Sequence, residues 1–304
     1  MHAENIMVSV CMITYNHEKY IAKAIQSVLD QECSFNIQLV ISNDKSTDST
    51  DRIIKESIEN LPSNIEVNYM NNATNIGMVK NFTGALNRCE GKYIALLDGD
   101  DFWVDTTKLQ TQVNVLEQNK KCSFSFHKAF RIKNYEIDES DTYPNFENNE
   151  TIIDEGTFFS VATVPTASIV YRSEYKLPAL NHSHCDFMLF CMLLSKGKGA
   201  FIDKVMSAYR IHESGVSFNY KKRQYSIKRI NELEIEAKYL PFSKSVRDEI
   251  KKILLGQVVF FLNNSRGNLS FREKFKYFRK LLSLKGFYRQ SPKHYLTLAK
   301  TFIK

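Results

Sequence analysis

The chain has 304 residues, of which 43% are hydrophobic and 25% charged. That composition belongs to a folded globular protein and excludes collagen, long coiled coil and wholesale disorder. A chain of this length buries roughly three quarters of its unfolded surface, enough for one large domain or two modest ones without covalent staples. The formal charge of +7 is unevenly placed: Phe271 to Lys304 holds ten Lys/Arg and one acidic residue, and residues 1–270 are close to neutral at −2. A near-neutral body with a basic tail differs from a uniformly basic nucleic-acid binder, so no nucleic-acid partner is expected. Six scattered cysteines (Cys11, Cys33, Cys89, Cys122, Cys185, Cys191) form no C-x-x-C pair. They point to reduced thiols in a cytoplasmic protein rather than a disulfide scaffold or zinc ribbon. The opening residues run directly into Val8–Ile13, too short and too acidic a lead for a signal peptide. The longest apolar stretch, Ile253–Leu262, is half the roughly 20 residues that span a bilayer.

In chain order, Val8–Ile13 reads as a buried β-branched strand. Ile21, Ala24, Ile25, Val28 and Leu29 follow at helical spacing, with Asn16 placed to cap that helix. Gln38–Ser42 is a second strand, Ile53, Ile54 and Ile58 mark a second helix, and Ile65–Tyr69 is a third strand. Val79, Phe82, Leu86 and Cys89 mark a helix ending at Gly91, and Tyr93–Leu97 is a fourth strand. Strands separated by helices in this way predict right-handed βαβ units and a parallel sheet. Asn134–Glu155 reads as a loop-rich acidic excursion. Ser168–Tyr171 and Ala200–Ile202 read as short strands around a helix near Phe187–Leu194, and the chain is helical in pattern from Tyr225 onward. The division that follows is 1–220 as an α/β domain and 221–304 as a helical basic extension.

Open parallel sheets bind ligands beyond the carboxyl ends of their strands. At those ends lie Thr14-Tyr-Asn16, Asn43-Asp-Lys-Ser-Thr-Asp48, Asn75-Ile-Gly77 and Asp98-Gly-Asp-Asp101. Three carboxylates within four residues repel one another unless a cation joins them, and hard oxygen donors select Mg²⁺ or Mn²⁺, with substrate phosphates completing the shell. An exposed acidic turn is the plainer reading. The buried strand before it and Phe102-Trp103 after it favour a site. No G-x-G-x-x-G or P-loop spacing is present, so neither a dinucleotide oxidoreductase nor a P-loop NTPase is supported. Gly77 reads as a positive-φ turn.

These segments, taken together in order, resemble the inverting family 2 glycosyltransferases with a GT-A fold. The matching pieces are Val8–Asn16, Tyr20-Ile21, Ala24–Gln31, Asn43–Asp48, Asn75–Gly77 with Asn81-Phe82, Gly91–Trp103, then Lys108-Leu109 and Gln112. The resemblance implies a mostly parallel central sheet flanked by helices. It implies Asp98 and Asp100 as metal-site residues, with Asp100 the direct ligand to Mn²⁺ or Mg²⁺ and Asp98 nearer the ribose; whether Asp101 also touches metal stays open. It implies Asp44 at the nucleotide, and Thr14 and Asn16 lining that pocket. The usual Asp-Asp-Gly-Ser reads Asn43-Asp-Lys-Ser46 here, so Lys45 departs from the family pattern.

The second half matches more weakly. Asp186, before an apolar helix, resembles the family's catalytic base, although a lone Asp there is ordinarily a helix cap. Tyr209-Arg-Ile-His212 resembles the segment that closes over the donor diphosphate, which gives Arg210 and His212 that role. The activity implied is transfer of a sugar from a nucleoside-diphosphate donor, with UDP expected, to a glycan or lipid-linked acceptor in surface polysaccharide synthesis. The rivals are a haloacid-dehalogenase-type phosphatase, whose opening is also a strand followed by Asp-x-Asp, and a non-catalytic glycan- or lipid-binding scaffold. The tail 271–304, with eight aromatics among its cations, suits an anionic membrane surface and an enzyme held on the inner face of the plasma membrane. A solvated helix face and a homodimer remain the alternatives for it.

Overall fold

The structure is a computed structural model, and its description covers residues 6–133, 136–146, 151–161, 164–175, 185–212, 223–264 and 270–284. The chain forms two compact units, Met1–His212 and Glu213–Lys304.

The first unit begins with four parallel strands, β1 (Val8–Thr14), β2 (Ile37–Asn43), β3 (Ile65–Asn71) and β4 (Tyr93–Asp98), paired in the order β3-β2-β1-β4. Helices α1 (Ile21–Leu29), α2 (Thr50–Ser57) and α3 (Met78–Leu86) make the crossovers. Every residue of β2 is buried, as a strand covered on both faces requires. On one face Val8, Val10, Met12, Ile37, Leu39, Ile41, Ala95 and Leu97 pack with Ile21, Ala24, Ile25 and Val28 of α1. Leu109, Val113 and Leu116 of α4 (Lys108–Gln118) join the same cluster. On the other face Asn81 of α3 reaches the strands: its Oδ1 accepts from Ser42 Oγ at 2.6 Å and its amide donates to the Ser42 carbonyl at 3.0 Å.

Two expectations are corrected here. Asn16 does not cap α1, whose N-cap is Tyr20 with no side-chain hydrogen bond. The Asn16 Oδ1 instead accepts from the Thr47 backbone N–H at 2.8 Å, which engages it with the loop after β2. Helix α3 ends at Leu86, short of Cys89 and Gly91. Gly91 serves a different purpose: a Cβ there would lie 2.5 Å from the Ser9 nitrogen, so the backbone entering β4 needs glycine to pass β1 so closely.

Beyond Asp98 the sheet continues through a two-residue strand β5 (Phe102–Trp103), then β6 (Cys122–Lys133), β7 (Glu136–Tyr143), β8 (Ile152–Ile153), β9 (Val170–Arg172) and β10 (Lys198–Ile211). The sheet order is β3-β2-β1-β4-β9-β6-β10-β5. β9 is antiparallel to both β4 and β6, and β6 is parallel to β10. The described part of Asn134–Glu155 is therefore structured where a loop was expected. β7 pairs antiparallel with β6, and Asp141 of β7 accepts from Arg131 and Lys133 of β6 at 2.6 and 3.2 Å. A short helix α5 (Glu155–Ser160), capped by Asp154, and α6 (Cys185–Lys196) complete the unit.

The second unit contains α7 (Arg223–Tyr239), α8 (Lys244–Asn264) and α9 (Phe271–Ser283). Phe261 of α8 meets Tyr277 of α9 with ring centroids 4.7 Å apart. Among the described residues no helix is long and apolar enough to cross a membrane. Phe287 and Tyr288 of the aromatic tail lie outside the described residues.

Lys45 adopts φ 59° and is exposed. An L-residue in the left-handed region costs about 1–2 kcal/mol, part of which a glycine would give back as unfolded-chain entropy. Lys45→Gly should therefore stabilise the fold by about 0.5–1 kcal/mol, read as a higher urea midpoint. An unchanged or lower midpoint would contradict the strain.

Candidate active site

The carboxyl ends of β1, β2 and β4 carry loops that are joined to one another. The Asn16 backbone N–H donates to Ser46 Oγ at 2.9 Å, His17 N–H to Thr50 Oγ1 at 2.9 Å, and Glu18 N–H to Asp48 Oδ2 at 3.1 Å. Asn16 sits at φ 56°, a conformation asparagine tolerates better than most residues. Asp44, 3% exposed, accepts from the Ile76 and Gly77 backbone N–H groups at 2.8 and 2.9 Å and from the Asn72 amide at 3.0 Å. It thereby fixes the turn after β3, where Gly77 has the expected positive φ of 86°. Thr14 is 2% exposed, its hydroxyl buried without a hydrogen-bond partner among the described residues. A Cβ on Gly99 would stand 2.8 Å from both Thr14 Cβ and Oγ1. Glycine between Asp98 and Asp100 is thus what lets the acidic turn lie directly on the end of β1.

The three carboxylates of that turn have different surroundings. Asp101 is buried and its Oδ1 accepts the Arg210 backbone N–H at 2.8 Å, a structural bond. Burial, then repulsion from Asp100 and Asp98, pushes it well above the carboxylate range. Asp100 is one-fifth exposed and its Oδ2 lies 3.0 Å from His212 Nε2 and 3.8 Å from His17 Nε2. Burial alone would raise its pKa, but the His212 hydrogen bond and the two imidazoles bring it below the ordinary value. Asp98 is pushed up to about 7, by burial first, then by Asp100 and by Asp186. None of the hydrogen bonds among the described residues ends on the Asp98 carboxylate.

That last set of influences answers the main question about the second half of the chain. Asp186, exposed in the first turn of α6 and accepting the Phe187 N–H at 2.8 Å, lies close enough to Asp98 for its charge to be felt there. Arg210 and His212 arrive by a separate route. β5 follows the acidic turn immediately and pairs antiparallel with β10, Phe102 opposite Ala208 and Trp103 opposite Ser207. The strand end carrying Arg210 and His212 is thereby returned to the turn. The Arg210 guanidinium donates to the Asp100 carbonyl and lies 4.5 Å from the Phe102 ring centroid and 5.1 Å from that of Tyr20.

Two contributors were given no site role by the sequence, although Tyr20 stands among the pieces that carry the family resemblance. His17 flanks Asp100 opposite His212, their ring centroids 6.3 Å apart, and burial lowers its pKa despite the nearby Asp100. Tyr20 stacks 5.0 Å from His212. The available signal was their position just after β1, at the same sheet edge as the acidic turn.

The donor set fits a divalent cation. Asp98 is a half-buried carboxylate on which no hydrogen bond among the described residues ends, Asp100 is partly exposed beside two imidazoles, and both offer hard oxygens. Among the described residues no three His, Cys, Asp or Glu side chains close around an ion by themselves.

A mixed sheet flanked by helices, with an acidic turn at the end of β4, defines the GT-A class of fold. Solved structures share it. The chain aligns with TarS of S. aureus in complex with UDP-GlcNAc at a TM-score of 0.67 and 18% identity, covering 92% of this chain and 80% of that one. It aligns with the mannosyltransferase PcManGT of Pyrobaculum calidifontis, in complex with GDP-Man and Mn²⁺, at a TM-score of 0.54 and 12% identity, covering 98% and 86%. Residues 9–176 match the family described as Glycosyl transferase family 2, and the chain belongs to that family. Among its relatives, an uncharacterized protein of Mycobacterium tuberculosis is 31% identical over 211 residues, 68% of this chain and 60% of the relative's length. The UDP-Glc:alpha-D-GlcNAc-diphosphoundecaprenol beta-1,3-glucosyltransferase WfaP of Escherichia coli is 30% identical over 70% of this chain and 80% of its own. Family membership sets the phosphatase reading aside.

The charge on Asp98 predicts a pH effect. Its ordinary value is 3.8 and its folded value about 7. Between those values the unfolded chain has lost a proton that the folded chain still holds, so the stability of the metal-free protein falls as pH rises from about 4 to about 7. Asp98→Asn should remove that part of the slope in urea midpoints taken across this range. Parallel pH dependence in the two proteins would contradict the assignment.

Proposed function

We propose that the protein is a metal-dependent inverting glycosyltransferase that moves a sugar from a nucleoside-diphosphate donor, a UDP-sugar, to a hydroxyl of a glycan or lipid-linked acceptor in surface polysaccharide synthesis. The observation that carries this reading is the meeting of Arg210 and His212 with Asp100 in the acidic turn, beside Asp98, where the charge of Asp186 is felt. The UDP-sugar named for WfaP and the UDP-GlcNAc bound to TarS support the choice of donor. A lipid-linked acceptor, as in the name of WfaP, would place the work at the cytoplasmic face of the membrane.

In this mechanism the loops carrying Thr14, Asn16 and Asp44 form the nucleoside end of the site. Asp98 and Asp100 would hold Mn²⁺ or Mg²⁺, which when bound would supply Lewis-acid neutralisation of the diphosphate, with His212, held by Asp100, beside the same phosphates. Arg210, fixed by Asp100 and Phe102, directs its positive charge toward the same phosphates, where negative charge grows as the glycosidic bond breaks. Asp186 accepts the proton of the acceptor hydroxyl. The acceptor oxygen bonds to the anomeric carbon on the face opposite the departing nucleoside diphosphate, and the configuration inverts.

Asp186→Asn should lower transfer by about 10²–10⁴-fold, the usual contribution of a general base, with UDP affinity unchanged. Calorimetry for UDP and chromatographic detection of transferred sugar separate the two effects. Undiminished transfer would remove Asp186 from the role.

A further inference from the structure

Helix α9 opens with a capping box: Ser270 Oγ accepts the Glu273 backbone N–H at 3.3 Å, and Glu273 Oε2 accepts the Ser270 N–H at 2.9 Å. Its inward side is fixed by Tyr277, 4% exposed against Phe261, and by Lys280, whose ammonium pairs with Glu234 of α7. The opposite side is of another kind. Arg272, Phe275, Lys276 and Arg279 are all exposed, Phe275 at 50%, and recur at three- and four-residue spacing within an arc of about 100°. No carboxylate pairs with Arg272, Lys276 or Arg279 among the described residues.

We propose that this face of α9 docks on an anionic lipid surface. Three cations around an exposed aromatic ring on a helix otherwise held by its neighbours match the chemistry of an interfacial helix: the ring enters the headgroup boundary and the cations meet acidic headgroups. Charge argues for lipid over a second copy of the chain, because a symmetric dimer through this face would set three cations against three. A helix of thirteen residues lies on such a surface without spanning it. The inference is independent of sugar transfer, because its readout is binding alone.

The test is co-sedimentation of the full chain with phosphatidylcholine vesicles, with and without phosphatidylglycerol, at increasing NaCl. Binding is expected only with phosphatidylglycerol and should weaken as salt shortens the screening length. The triple variant Arg272→Gln, Lys276→Gln, Arg279→Gln should lose on the order of 10²-fold in partition coefficient, about fivefold per cation. Phe275→Ser should lower binding at every salt concentration. No binding at any salt, equal binding to pure phosphatidylcholine, or an unchanged triple variant would overturn the proposal. So would a dimer in sedimentation velocity that the triple variant dissociates, since the face would then be a protein interface.

Discussion

The site depends on negative charge gathered at the end of β4 and only partly balanced by the protein. Asp98, Asp100 and Asp101 leave one strand end within four residues, close enough to repel strongly when enclosed. Asp101 is satisfied by a backbone N–H and Asp100 is flanked by two imidazoles. No hydrogen bond among the described residues ends on Asp98, and the negative charge of Asp186 is felt there as well. An arrangement of this kind is unfavourable for folding and favourable for holding a cation, which is the usual direction of compromise at a functional site.

The surrounding structure keeps that arrangement in place. Gly99 brings the turn onto Thr14, Gly91 lets β4 run against β1, and the side chains of Asn16, Ser46, Asp48 and Thr50 lock the first two loops together. The pairing of β5 with β10 is the decisive tertiary step. Because β5 follows the acidic turn without a break, any residue near the carboxyl end of β10 must return to it. Arg210 and His212 therefore reach Asp100 across more than a hundred residues of sequence. A rigid edge of this sort holds polar groups where charge will develop, so little reorganisation is needed during a reaction.

The parallel half of the fold was legible because strands buried on both faces read as apolar runs, and because their loops must collect at one edge. The residues at that edge were legible for the same reason. The second half was legible only in part: α6, β9, a piece of β10 and the closing helices stand where the pattern put them. β7 is acidic and reads as a loop, and only its cross-strand pairing with Arg131 and Lys133 reveals why those charges suit a strand. β9, only three residues long, falls within reach of the short strand read at Ser168–Tyr171, but its antiparallel place between β4 and β6 is a long-range pairing that the local pattern does not contain. Asp186 looked locally like a helix cap, and its relation to Asp98 is a long-range fact that no local pattern contains. Asn16 was read as the cap of α1 because a partner was sought only in the helix that follows it, whereas its side chain bonds the loop after β2. His17 went unmarked because a single histidine has no spacing signal.

The central claim is that the acidic turn, Arg210 and His212 form one site for a divalent cation and a nucleoside diphosphate together. Calorimetric titration of UDP into the protein, once with saturating Mn²⁺ and once with chelator, tests it most directly. If the two ligands share the site, Mn²⁺ should raise UDP affinity, and by linkage UDP should raise Mn²⁺ affinity by the same factor. Equal UDP affinity in both titrations would contradict the account.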